Sequence, residues 1–161
     1  MIKAAIVGDP NKVPQYILSR FPLIKGACQT SMARLVLELT RRIKKDKLSG
    51  QVLKNRTGTL RRSISPSVSS SGTTVTGTVG TNVEYATIHE FGGKTPAHDI
   101  LPKRGRALAF NWKGKDVVFA KVHHPGSTMP ERSFMRTALK EMEPDILREF
   151  EKAVYGVINK P

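Results

Sequence analysis

Residues His123–Leu139 read HHPGSTMPERSFMRTAL, and the change of pattern inside this stretch decides the fold. Upstream, Val117, Val118, Phe119 and Val122 make a dense run of β-branched and aromatic residues. Pro125-Gly126 then ends any strand, the proline through its fixed φ and missing N–H, the glycine through its tolerance of turn geometry. Downstream, Ser127 or Thr128 can cap a helix, Pro130 suits a first helical position, and Met135, Ala138, Leu139 and Met142 recur at helical spacing. A β-rich middle therefore passes directly into a closing helix that packs back on it.

That helix is expected over Glu131–Ile158, with Met135, Leu139, Met142, Ile146, Phe150, Val154 and Val157 on one face. Pro144 falls inside it, and because the apolar period survives the proline, a kink or a restart with the same buried face is expected. Working back, Leu108, Phe110 and Trp112 alternate, Lys113-Gly114-Lys115 turns, and Val117–Val122 returns, which reads as a β-hairpin. Lys94–Arg106 is polar, carries Pro96 and Pro102, and is expected to be a mobile loop. Val83–Gly93 fits either a strand or a single helical turn.

Arg61–Ser69 alternates as a half-exposed strand, and Pro66 places it at a sheet edge or a bulge. Ser70-Ser71-Gly72 turns the chain, and Val75, Gly77 and Val79 alternate with three threonines to complete a hairpin. Before it, Met32, Leu35, Val36, Leu39 and Ile43 draw one apolar stripe along a helix from about Lys25 to Lys47. Pro22 is expected to separate that helix from a shorter one over Val13–Phe21. Ile2–Val7, ended by Gly8-Asp9-Pro10, reads as a strand or an ordered arm. The fold class is α+β: an antiparallel sheet of about four strands, packed on one face by a basic N-terminal helix and a long C-terminal helix. The chain is read as one domain over 1–161, with an arm and short helix in 1–24 and the loop in 94–106.

Length and composition suit a globular chain with a real core: 161 residues, 39% hydrophobic and 25% charged. Charge is the outlier. Lys plus Arg number 27 against 13 Asp plus Glu, a net charge of +14, which bears on partners and solubility more than on fold. The excess is concentrated: Arg34–Arg62 holds ten basic residues and two acidic ones, whereas Glu131–Lys152 holds five and six. Read along the chain, one end is strongly positive and the other nearly balanced, as in a protein set between unlike neighbours. Cys28 is alone, so an internal disulfide is excluded and a reducing compartment fits. The apolar start is too short for a secretory core, and no apolar run approaches the roughly eighteen residues of a membrane span. The chain is expected to be soluble, made in the cytoplasm and without a membrane partner.

His89, His98, His123 and His124 accompany Glu90 and Asp99, but none has metal-ligand or catalytic spacing. There is no HExxH, no paired cysteines and no glycine-rich phosphate loop. Adjacent histidines in a strand point to opposite faces, so His123 and His124 are poor joint ligands. The expectation is a non-enzyme with no cofactor and no metal. The basic run Arg41–Lys47 contains no aromatic for base stacking and no groove-reading motif, so sequence-blind, salt-dependent contact with phosphates is the expected mode.

The order of short motifs is distinctive. Arg56-Thr57-Gly58-Thr59-Leu60-Arg61-Arg62-Ser63-Ile64 follows a basic amphipathic helix. Then come Val79-Gly80-Thr81-Asn82-Val83-Glu84-Tyr85-Ala86, Glu90-Phe91-Gly92, His124-Pro125-Gly126 and Pro130–Leu139. Together, over about Leu35–Val154, they resemble the tail-component (neck) family of long-tailed bacteriophages. The first thirty residues and Lys94–Arg106 depart from that pattern. The resemblance implies a non-enzymatic virion protein, assembled in the bacterial cytoplasm into a ring of six copies at the neck. Its implied partners are other copies of itself, head-completion or connector proteins, and the tail tube or tail-terminator protein. A tail-terminator ring is the alternative within that class; a basic nucleic-acid-binding protein or nuclease is the alternative outside it. In a ring, Arg41, Arg42, Lys44, Lys45 and Lys47 would face genomic DNA in the lumen. Tyr85, Glu90, Phe91, Arg132 and Arg136 would meet the next subunit, although Tyr85, Phe91 and Phe134 read more simply as core. Gly58, Gly80, Gly92 and Gly126 read as turn makers.

Overall fold

Two amphipathic helices, distant in sequence, carry the first of two compact units. The computed structural model describes residues 2–5 and 15–159, apart from 55 and 104. By packing, residues 1–86 with 133–161 form one unit and residues 87–132 the other. The expected break at Gly8-Asp9-Pro10 lies outside the described residues. The class is α+β.

In the first unit α1 spans Gln15–Arg42 and continues as a π-helical turn over Ile43–Lys47. All five residues of its expected stripe are buried, but they serve two contacts. Leu35, Leu39 and Ile43 join Ala138, Met142 and Ile146 of α4 (Met135–Ile158), together with Phe134, Leu48, Leu53, Ile64 and Ala86. Met32 and Val36 instead meet Val75 of β3 (Thr74–Gly80), with Val79 and Phe150 at the margin. Full burial of each such side chain contributes about 1.5–3 kcal/mol. α1 is therefore the element shared by both cores.

Both prolines expected to interrupt helices lie inside unbroken ones. Pro22 is exposed, and the bond it cannot donate would have gone to the carbonyl of Leu18, itself exposed, where solvent can substitute. Pro144 is likewise on the outer face, and α4 runs through it with no restart while Met142 and Ile146 stay buried.

The sheet of this unit has three strands in the order β1 (Ile2–Ala5), β3, β2 (Ser65–Ser71), all antiparallel. Pro66 lies in β2, an edge strand, as its missing N–H requires. Arg61–Ser63, expected as strand, belong to a short helix α2 (Thr59–Ser63) that starts beyond Gly58, whose φ of +73° reverses the chain. The Arg62 N–H closes that turn on the Gly58 carbonyl at 2.9 Å. Gly58, Gly92 and Gly126 all adopt positive φ; Gly80 does not and meets no close neighbour, so its reading as a turn maker is corrected. Gly77 has the steric demand instead: a Cβ there would lie 2.6 Å from Val36 Cγ1 and collide with the Met32 side chain.

The second unit begins within α3 (Ala86–Phe91), so the centre of Val83–Gly93 takes the helical alternative and Gly93 opens a strand. Its strands are β4 (Gly93–Thr95), β5 (His98–Ile100), β6 (Leu108–Trp112), β7 (Lys115–Phe119), β8 (Val122–His124) and β9 (Ser127–Met129). They pair β4 with β9, β5 with β8 and β6 with β7, each antiparallel. The pairings are nested, so they form one interrupted two-stranded ribbon. Gly93↔Met129 and His98↔His124 keep the same register across the Pro96-Ala97 and Pro125-Gly126 interruptions, whereas Leu108↔Phe119 is offset by the longer 101–107 segment. Lys94–Arg106, expected as a loop, thus supplies β4 and β5. The hairpin expected at Leu108–Val122 exists, turning on Lys113 and Gly114, both at positive φ, but it does not join the first sheet. The expected single sheet of about four strands is therefore a three-stranded sheet and a separate ribbon.

The packing of β3 against α1 predicts that Gly77→Ala lowers stability by about 1–3 kcal/mol through overpacking. Gly80→Ala, in open space, should stay within about 0.5 kcal/mol of the parent. Urea unfolding followed by circular dichroism measures both.

Candidate functional site

The basic run of α1 is not an open cationic stripe. Arg41 donates to both Glu38 oxygens at 2.8 and 2.7 Å, and Arg42 bridges Glu38 at 2.9 Å and Asp145 of α4 at 2.7 Å. Lys47 pairs with Glu141 at 2.6 Å and Arg34 with Glu149 at 2.6 Å. As numbers rise along α1 from 34 to 47 they fall along α4 from 149 to 141, so the helices run antiparallel with a belt of ion pairs down one side. The basic and acidic segments read from sequence as opposite ends of the molecule are side by side. Of the five residues expected to face DNA, Arg41, Arg42 and Lys47 are held by carboxylates. Lys44 and Lys45 have no ion pair among the described residues. Glu38 registers the belt electrostatically: the hydrogen bond from Arg41 foremost, with Arg42 adding and desolvation opposing, lowers its pKa to about 2.

The residues expected at a subunit boundary differ among themselves. Tyr85 is 46% and Phe91 58% exposed, so neither is the core residue its type suggested; Phe134 alone of the three is fully buried. Glu90 is only 4% exposed, which removes it from the surface. Arg132 and Arg136 are exposed, and the Arg132 backbone N–H bonds the His89 carbonyl at 2.8 Å.

The histidines separate as strand geometry requires. His124 stacks on His98 across the β5–β8 pair, with ring centroids 5.1 Å apart, and its Nδ1 accepts the Gly126 N–H at 3.0 Å. His123 lies on the opposite face, 2.9 Å from Asp99, which also meets Lys121 at 2.8 Å. Lys121 first, then His123, lowers the Asp99 pKa. Among the described residues no group of three or more His, Cys, Asp or Glu is placed to hold a metal ion.

What sequence reading missed is the state of the ribbon. Leu108, Phe110 and Trp112 share one face with Val117 and Phe119, and the Phe110 and Phe119 rings are 6.1 Å apart. Yet Trp112 is 61% exposed, Phe119 48%, and Val118 on the other face 67%. Among the described residues no further strand pairs with either edge of the ribbon. Alternation announced an apolar face but could not say whether this chain or another covers it.

The belt predicts a pH effect with a definite sign. A lowered Glu38 pKa contributes stability present above its ordinary 4.5 and lost as pH falls from there toward 2. Acid unfolding of Glu38→Gln should lack this component. A double-mutant cycle on Arg42→Ala and Asp145→Asn should give a coupling of about 0.5–1 kcal/mol, modest because the pair is partly solvated.

Among the described residues no helix is long and apolar enough to cross a membrane. No curated protein and no solved structure matches the chain. The family described as the phage virion morphogenesis family matches residues 33–149, well over half of the chain. The match runs from α1 through the ribbon into α4, the same span over which the short motifs recur in order. The chain belongs to the phage virion morphogenesis family.

Proposed function

We propose that this protein is a connector in the neck of a tailed phage. Copies of it close into a ring, six in number, that joins the head-completion proteins to the tail tube or its terminator during assembly. The observation that carries this reading is the ribbon of β4 to β9: two-stranded, with no further strand on either edge among the described residues, and with exposed Trp112, Val118 and Phe119. An isolated two-stranded ribbon is marginal in water, and open edges with uncovered apolar side chains invite another chain. Exposed Tyr85 and Phe91 add further apolar surface for contact between copies. Family membership establishes a role in phage particle assembly; the neck position and the ring are what this reading adds.

Trp112→Ser with Val118→Ser should leave helicity unchanged and abolish assembly, seen as monomers by sedimentation where the parent forms rings. In the phage, loss of the gene should yield filled heads and separate tails. Rings from the doubly substituted protein, or heads and tails that join normally without the gene, would contradict the proposal. A monomer that cleaves DNA with added divalent metal would favour an enzyme.

A further inference from the structure

No Asp or Glu occurs between Asp46 and Glu84, while Lys47, Lys54, Arg56, Arg61 and Arg62 do. Of these, Lys47 is taken by Glu141. Lys54, Arg56, Arg61 and Arg62 are exposed and pair with no carboxylate among the described residues. Their scaffold is well tied. Arg62 Nη2 donates to the Thr57 carbonyl at 3.1 Å, Thr57 and Thr59 hydroxyls meet at 3.0 Å, and Ser63 meets Thr81 at 2.6 Å. The turn leads directly into edge strand β2, whose Ser65, Ser67, Ser69 and Ser71 are all exposed.

We infer that the cations Lys54, Arg56, Arg61 and Arg62 around the Gly58 turn and α2, continued by the exposed serines of β2, form a binding surface for the phosphate backbone of double-stranded DNA. The run Arg41–Lys47 is secondary to it. Guanidinium and ammonium groups with adjacent hydroxyl donors are the groups that bind phosphate oxygens, and the segment brings no carboxylate of its own to repel them. Leu60 packs toward the core, and Val68 of β2 alternates with the exposed serines and so lies on the other face of the strand, which leaves the cationic surface without an apolar side chain to insert into a lipid layer. It also has no aromatic for stacking on bases, so contact is with the backbone and blind to sequence. In the 41–47 run, by contrast, three of five cations already have anionic partners. This inference is independent of the ring proposal.

The test uses the full chain and a short fluorescein-labelled duplex, with anisotropy followed from about 50 to about 200 mM salt. Lys54→Ala/Arg56→Ala/Arg61→Ala removes three phosphate contacts and spares Arg62, which holds the turn. Its slope of log K against log salt should be shallower by about 2–3, at roughly 0.9 per contact. Lys94→Ala/Lys103→Ala/Arg106→Ala loses the same net charge from the other unit and should keep the parent slope. Arg56→Lys/Arg61→Lys should also keep it, which separates lost charge from lost fold. A duplex of unrelated sequence should behave identically. Equal slope changes in both alanine triples would reduce the effect to net charge and overturn the inference. So would an unchanged slope in the first triple, or polyglutamate competing as well as DNA at equal charge.

Discussion

The antiparallel packing of α1 against α4 is the constraint on which the remaining structure depends. More than half of the chain separates these helices in sequence, so their contact closes the first unit around α2 and the residues before it. Phe134, Met142, Ala138, Ile43 and Leu39 supply the stabilisation, since all are buried and apolar. The belt of Arg34–Glu149, Arg42–Asp145 and Lys47–Glu141 fixes orientation more than it adds stability, because these pairs are partly solvated. It also redistributes charge. By holding Arg34, Arg42 and Lys47 against α4, the belt engages cations that looked available along the sequence, while Lys54, Arg56, Arg61 and Arg62 stay exposed.

The first unit was largely legible in sequence because its signals are local and periodic. The α1 stripe, the α4 stripe, the β2–β3 hairpin and the edge position of Pro66 all follow from spacing or from proline chemistry. The errors arose where tertiary context outweighs a local rule. Pro22 and Pro144 lie on exposed helix faces, so the proline penalty did not break either helix. Gly58 turned Arg61–Ser63 into helix before the alternating pattern could begin a strand. Gly77, hidden in a threonine-rich strand, makes a close approach to Met32 and Val36 that alternation does not announce, whereas Gly80, read as a turn maker, has no positive φ.

The candidate surfaces were less legible, for a physical reason: a residue type states what a side chain could bury and does not state what covers it. Trp112, Phe119, Tyr85 and Phe91 have the composition of core residues and the exposure of contact residues. Glu90 has the composition of a surface residue and is buried. Cations in 41–47 and in 54–62 look alike in a charge count, and only the positions of Glu38, Glu141 and Asp145 distinguish them. The two exposed surfaces are chemically different, one apolar with open strand edges on the ribbon, one cationic and rich in hydroxyls on the helical unit.

The most direct measurement of the central claim is an electron cryomicroscopy reconstruction of the intact particle, at a resolution that traces this chain. The account predicts copies of it in a closed ring at the neck, with the β6–β7 pair covered by an adjacent protein chain and Trp112 out of solvent. A chain missing from the finished particle, or present with that pair bare to solvent in every copy, would contradict it.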